Sequence, residues 1–237
     1  MNPYLRHFIL YTDQLNSGDI NIMNAIKYSR LASTYAACPP SYVRILNAYP
    51  CYPAVDVVVN GNLVAENLAY NQFAGYFTVM PCLYHIKIFS SGKHKECLIA
   101  EACFQICPKS AKTLAIVGGL TGVLGIAEEY EPCRRMRDRC KAYVRFVNLS
   151  PNSPPLDVAI AGGTPLFENV PFTAHTRYIP VEPGTYQLQM RPAGSNQPGV
   201  GTQPVELALC KATTVYAVGN VGGESPLEVI THVDGNY

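Results

Sequence analysis

The chain has 237 residues, 48% of them hydrophobic and 15% charged, which is enough apolar surface to offset the entropy of ordering and excludes a disordered tail or solvated linker. Eighteen basic residues against 17 acidic ones leave a net charge of +1, so no long-range field holds a polyanion and nucleic acid is not an expected partner. The most apolar stretch, Thr113 to Ala127, is broken by four glycines, and no membrane span is expected.

The opening MNPYLRHFILYTDQLNSGD turns polar too soon for the apolar core of an export signal. Asp19 then stands as a helix N-cap before Ile20, Met23, Ala25, Ile26, Tyr28 and Leu31, and Cys38-Pro39-Pro40 ends the pattern. Residues 1–40 therefore read as an N-terminal arm of helical pattern, which either packs on the first domain or docks on a neighbouring subunit. Strands follow. Tyr42, Arg44 and Leu46 alternate with Val43, Ile45 and Asn47, and the β-branched run Val55–Val59 ends in Asn60-Gly61, a type I′ hairpin signal. Tyr76–Val79, Tyr84–Phe89, Cys97–Phe104 and Lys112–Val117 continue at spacings of about 8–12 residues with Gly, Pro or Asn between them. In the stretch EEYEPCRRMRDRCKAYVR, Arg134, Arg135, Arg137, Arg139 and Lys141 are offset by Glu128, Glu129, Glu131 and Asp138. A solvated linker over 131–141, clipped by a Cys133–Cys140 bridge, is expected there rather than an anion site.

The plan then repeats. YVRILNAYPCYPAVDV from Tyr42 returns as YVRFVNLSPNSPPLDV from Tyr143, 101 residues on. Arg44, Asn47 and Asp56 recur as Arg145, Asn148 and Asp157, and Glu66-Asn67-Leu68 as Glu168-Asn169-Val170. Tyr84–Ile88 recurs as Tyr186–Met190, and Cys107 with the stretch after it aligns with Cys210. A tandem duplication of short strands predicts an all-β chain of two Greek-key, immunoglobulin-like sandwiches in series, at 41–130 and 142–237.

This pattern, YVRxxNxxPxxPxxDV followed by an NG or GG turn, an E-N-[LV] step and a strand such as Pro183–Leu188, resembles domain of unknown function 4397. The resemblance covers both copies and is closer in the second, because Pro81-Cys82-Leu83-Tyr84 replaces the expected Pro-Gly-Thr-Tyr in the first. It implies a β-sandwich module of bacterial surface and secreted proteins, often in tandem, without an established activity. Cysteine-rich versions lacking a signal peptide resemble proteins of spore-forming anaerobes.

Chemistry has few footholds. Asp56 and Asp157 are equivalent positions of separate domains rather than one acid–base pair; each either fixes a turn or pairs with Arg44 or Arg145 on a neighbouring strand. His7, His85, His94, His175 and His232 sit in no nucleophile–base frame, and no G-x-S-x-G elbow occurs. No enzyme activity, cofactor or metal is expected. The nine cysteines, Cys38, Cys51, Cys82, Cys97, Cys103, Cys107, Cys133, Cys140 and Cys210, lack the paired C-x₂-C knuckles of zinc sites. Their number is high for a reducing cytosol, and they are the candidate cross-linking residues, with Cys38 in the arm the preferred intermolecular one. Buried reduced thiols are the alternative. Cys97, Cys103 and Cys107 are expected to share one face of a strand. The leading expectation is a structural or assembly protein of a spore coat, exosporium or surface fibre that partners itself. The second is an adhesion module for a surface glycan or protein, to which 16 tyrosines would be suited; a cytoplasmic location is the alternative to the spore or cell surface.

Overall fold

The computed structural model describes residues 40–52, 54–92, 97–118, 127–130 (backbone), 138–161, 163–195, 199–201 and 204–235. The N-terminal arm with Cys38, and Cys133, lie outside these residues. Every regular element described is a strand, in two tandem all-β domains.

In the first domain β1 (Ser41–Asn47), β4 (Phe73–Val79), β7 (Ala111–Ile116) and β8 (Ala127–Tyr130) form one sheet, ordered β4-β1-β7-β8. A second sheet, ordered β3-β2-β5-β6, is made by β2 (Ala54–Val59), β3 (Asn62–Ala69), β5 (Leu83–Ser90) and β6 (Leu98–Gln105). The β2–β3 hairpin turns on Asn60 (φ +48°) and Gly61 (φ +83°), both left-handed as a type I′ turn demands. Val43, Ile45, Leu114 and Ile116 from the first sheet meet Val55, Val57, Ile86 and Ile88 from the second in a closed core.

The second domain repeats this with β9 (Ala142–Asn148), β12 (Ile179–Val181), β17 (Ala212–Val218) and β18 (Glu228–Asp234) in the order β12-β9-β17-β18. Its other sheet contains β10 (Leu156–Ile160), β11 (Pro165–Val170), β14 (Leu188–Pro192) and β15 (Val200–Gly201). Here β13 (Gly184–Tyr186) is separated from β14 at Gln187 and pairs with β16 (Val205–Leu207), so the ladder that β5 and β6 form as one pair of strands, with a bulge between Ile88 and Phe89, is split in two. Parallel pairing of β1 with β7 and of β9 with β17 matches Tyr42↔Ala111 to Tyr143↔Ala212. That register aligns Cys210 with Lys109, both left-handed (φ +57° and +58°), and corrects the expected Cys107–Cys210 equivalence.

Strand alternation exposes the feature that the repeat alone does not reveal. Residues of β1 and β7 that face away from the first core are buried too. Leu46, Ala48, Ala115 and Val117 pack on Val147, Leu149, Tyr216 and Val218 of the second domain, and Ala111 packs with Tyr143 and Ala212. The two sandwiches are stacked face to face through these inner sheets, giving four layers of strands.

The turn after β17 is fixed by Gly219, whose φ is +86° and where an added Cβ would lie 2.2 Å from the Pro226 carbonyl oxygen. Gly219→Ala is expected to lower stability by about 2 kcal/mol; urea denaturation of the purified variant checks it.

Candidate functional site

The arginine, the asparagine that follows it and the aspartate repeated in both copies are buried, whereas Glu66 and Glu168 are exposed. Arg44 and Arg145 are 0% and 2% exposed, and Asp56, Asp157, Asn47 and Asn148 are buried as well.

The two aspartates lock turns. Asp56 accepts hydrogen bonds from the backbone N–H of Asn67 (2.9 Å) and Gly92 (2.9 Å); Asp157 accepts from Asn169 (2.8 Å) and Gly194 (3.1 Å). Each carboxylate thus ties a left-handed asparagine on the neighbouring strand to a left-handed glycine in a turn. Of the two roles open from sequence, the turn is the observed one, and the arginines go elsewhere. The asparagines hold corners: Asn47 donates to Leu68 O (3.0 Å) and accepts from Tyr49 N–H, as Asn148 donates to Val170 O (3.1 Å) and accepts from Ser150 N–H.

Arg44 and Arg145 enter the layer between the sandwiches. Arg44 Nε donates to Thr113 Oγ1 (2.8 Å) and Arg145 Nε to Thr214 Oγ1 (2.8 Å), the same contact made twice. Arg44 also crosses the interface, donating through Nη2 to Tyr216 Oη (2.9 Å) and to Asp234 Oδ1 in a fully buried ion pair. Asp234 Oδ2 accepts from Tyr178 Oη (2.6 Å) and from Thr214 Oγ1. One carboxylate therefore binds Arg44 directly and Arg145 through Thr214. Aromatic rings complete the lining: the Arg44 guanidinium lies 5.1 Å from both the Phe73 and Tyr76 centroids, and that of Arg145 4.7 Å from Tyr178.

Charge in this layer follows from burial. Desolvation alone would lower the Arg44 pKa, but Tyr216, Asp234 and Tyr76 outweigh it and the net shift is upward. Burial pushes the Tyr76 phenol up to about 12 and that of Tyr178 higher still, with Asp234 adding to the effect. His232, whose Nδ1 faces Arg44 Nη1, is held below the ordinary histidine value by burial and then by Arg44. The same Nδ1 lies 2.8 Å from the Val233 carbonyl oxygen, so this nitrogen sits between a donor and an acceptor. His175 is lowered in the same way, by burial and by Arg145; pairing opposite Val147, it takes the register position that Phe73 has opposite Leu46.

This layer is a clamp between domains. No substrate reaches groups buried by sheets on both sides, so its chemistry is to fix the register of the two sandwiches. Tyr178, Tyr216, His232 and Asp234 do not stand out in the sequence. The first three carry no motif, and Asp234 faces Ala212 at the position where the first copy places Tyr130 opposite Ala111.

The cysteines are arranged differently. Cys51, Cys103, Cys107 and Cys140 are free, exposed thiols, Cys82 and Cys97 are free and half-buried, and Cys210 is exposed. Burial raises the Cys82 thiol pKa. Cys97, Cys103 and Cys107 do not share a strand face as expected. Cys103 pairs opposite His85 within β6, Cys97 bonds to Ser90 beyond a bulge that shifts the phase, and Cys107 lies past the end of the strand. On the solvent face around Cys103, His85 Nε2 lies 3.4 Å and Lys87 Nζ 3.7 Å from Glu101 Oε2, exposed pairs that contribute little to stability. Thiol, imidazole and carboxylate thus meet on an open sheet without exclusion of water, a set that only the register brings together. Among the described residues no group of three or more His, Cys, Asp or Glu is placed to hold a metal ion, and no helix is long and apolar enough to cross a membrane.

A family model described as Domain of unknown function (DUF4397) matches residues 41–131 and 142–236. No curated protein matches the chain. Among solved structures, the C-terminal domain of AlgF from P. aeruginosa is similar at 25% identity over 40% of this chain and 98% of that one, with a TM-score of 0.30. A family CBM26 module from Eubacterium rectale Amy13K, solved in complex with maltoheptaose, is similar at 9% identity over 83% of this chain and 97% of that one, with a TM-score of 0.24.

Two outcomes follow from the buried groups. Asp157→Ala strands the Asn169 and Gly194 N–H groups and is expected to cost roughly 2–4 kcal/mol in urea denaturation. For the histidines, the unfolded chain takes protons near pH 6.5 and the folded chain only at lower pH, so acid favours unfolding. Their contribution is complete above about pH 6.5 and is lost as the pH falls through the folded values. The urea midpoint is expected to drop between pH 7.5 and pH 5, and to drop less steeply in His232→Gln.

Proposed function

This chain belongs to the family described as Domain of unknown function (DUF4397) over both of its sandwiches, and we propose that it works as a non-enzymatic building block of a bacterial surface layer. Two Greek-key sandwiches clamped into one rigid unit present thiols outward, and neighbouring copies join by contacts and disulfides. A spore coat, exosporium or surface fibre is the setting that suits such a unit, because an oxidising exterior preserves the cross-links.

The observation that carries this reading is the division of labour among side chains. The repeated pairs Arg44 and Arg145, Asn47 and Asn148, and Asp56 and Asp157 are used up inside, on turns and on the clamp between domains, whereas Cys51, Cys103, Cys107 and Cys140 are exposed. A rigid body with reactive groups on several surfaces is suited to polymerising.

Non-reducing and reducing electrophoresis of thiol-blocked protein from its natural source tests the proposal. A ladder above the 25.9 kDa monomer that collapses with reductant is expected, and Cys51→Ser, Cys103→Ser, Cys107→Ser and Cys140→Ser together should shorten it. A single monomer band in both lanes, with all thiols free, would overturn the proposal.

A further inference from the structure

The first sandwich has an open sheet edge whose partner can be named from its own residues. In the β5–β6 ladder, Ile106 N–H donates to Cys82 O (2.9 Å) and Leu83 faces Gln105. Antiparallel bonding alternates, so Phe104, Ala102 and Ala100 use their backbone groups toward β5 while Gln105, Cys103 and Glu101 direct theirs away from it. No strand of the described residues pairs on that side. β6 spans eight residues, LIAEACFQ, without the proline, glycine or lysine that commonly protects an edge. Of the other edges, β3, β4 and β11 pair through register shifts, as β6 does near Leu98; β8 has four residues, β12 has three with Pro180 at its centre, and β18 is a regular seven-residue edge that carries Glu228, His232 and Asp234. The equivalent edge of the second sandwich is split between β15 and β16. The sheet that ends in β6 also exposes Leu63 (44%), Leu83 (59%) and Leu98 (47%).

We propose that β6 is a self-pairing edge, on which a second copy of this chain adds its own β6 antiparallel about a two-fold axis at Cys103. This rests on the assembly reading above and names one joint of it. The charge pattern selects the register. Outward-facing residues must meet outward-facing residues, which leaves three central registers. One sets Glu101 against Glu101 of the second copy, a like-charge pair. One sets Glu101 against Cys103 and leaves the two glutamates diagonal, about 7–8 Å apart. The third sets Cys103 against Cys103 and Glu101 against Gln105 on both sides, giving each carboxylate an amide donor and separating the glutamates by four residues. In that register the Cys103 Cα atoms lie about 5.5 Å apart, as in any antiparallel pair that exchanges hydrogen bonds, which is within the span of a disulfide.

The full chain, kept in reductant, is examined by sedimentation equilibrium alongside two surface variants. Gln105→Glu places a carboxylate opposite Glu101 twice and is expected to weaken the dimer about tenfold; Gln105→Lys is expected to tighten it by a similar factor. Circular dichroism and urea denaturation confirm that both variants fold. Separately, the wild-type chain is treated with diamide. Two thiols form one S–S bond, and their two protons and two electrons reduce the diamide to its hydrazine. Peptide mapping is expected to find Cys103 joined to Cys103. Folded variants that leave the dimer constant unchanged, or cross-links that avoid Cys103, would overturn this edge while leaving assembly through other thiols standing. A chain that stays monomeric and forms no intermolecular cross-link would overturn both.

Discussion

Two buried arginines that share one buried carboxylate are the constraint on which the architecture depends. A guanidinium taken out of water loses several kcal/mol of solvation; Arg44 has Thr113 within its own domain, but its carboxylate partner Asp234, with Tyr216 and His232, comes from across the domain boundary. Arg145 reaches the same carboxylate through Thr214. Neither sandwich alone completes this set, so separating the domains would expose an apolar face and strip a charge of its partner at once. Such arrangements contribute more to fixing one geometry than to raw stability, since an apolar layer of the same volume would pack as tightly. The benefit is register: greasy sheets can slide past each other, whereas a guanidinium held by Thr113, Tyr216, Asp234 and His232 cannot.

Much of this fold is legible in the chain. The repeat, the hairpin at Asn60-Gly61 and the strand runs follow from local rules that the two copies state twice. What strand alternation does not reveal is what covers the second face. Tyr42 and Arg44 alternate with Val43 and Ile45 as residues of a solvent-facing strand would, and the same pattern serves a face covered by another sheet whose lining is equally mixed. The aspartates show the converse case. The sequence leaves Asp56 with two roles, and the decision lies in a spacing: Asp, then Asn about a dozen residues on, then Gly at the next turn, present as Asp56, Asn67, Gly92 and as Asp157, Asn169, Gly194. Three residues far apart in the chain meet because two of them adopt left-handed backbone, which no alternation pattern encodes.

Duplication also supplied material for divergence. The strand pair that runs as β5 and β6 with one bulge near Leu98 is interrupted in the second copy at Gln187 and in the segment before Val205. The carboxylate that balances the arginines exists in the described residues of the second copy, where the first has Tyr130 in register. The halves are therefore complementary: one contributes the acceptor for the buried charges, the other an eight-residue sheet margin.

The parallel pairing of β1 with β7 bears on mechanics. Tension entering the first domain at Ser41 runs along β1, which is bonded to β7 from Tyr42↔Ala111 through Asn47↔Ile116 and to β4 on its other side. Load applied along a strand strains such a ladder in shear, so all of its rungs must yield together rather than peel one at a time. Resistance to forced unfolding is set by the rate of that collective step, and the Arg44 anchor to Asp234 adds a tie at mid-strand. A link pulled from that end would behave as a stiff clamp and not as an extensible spring.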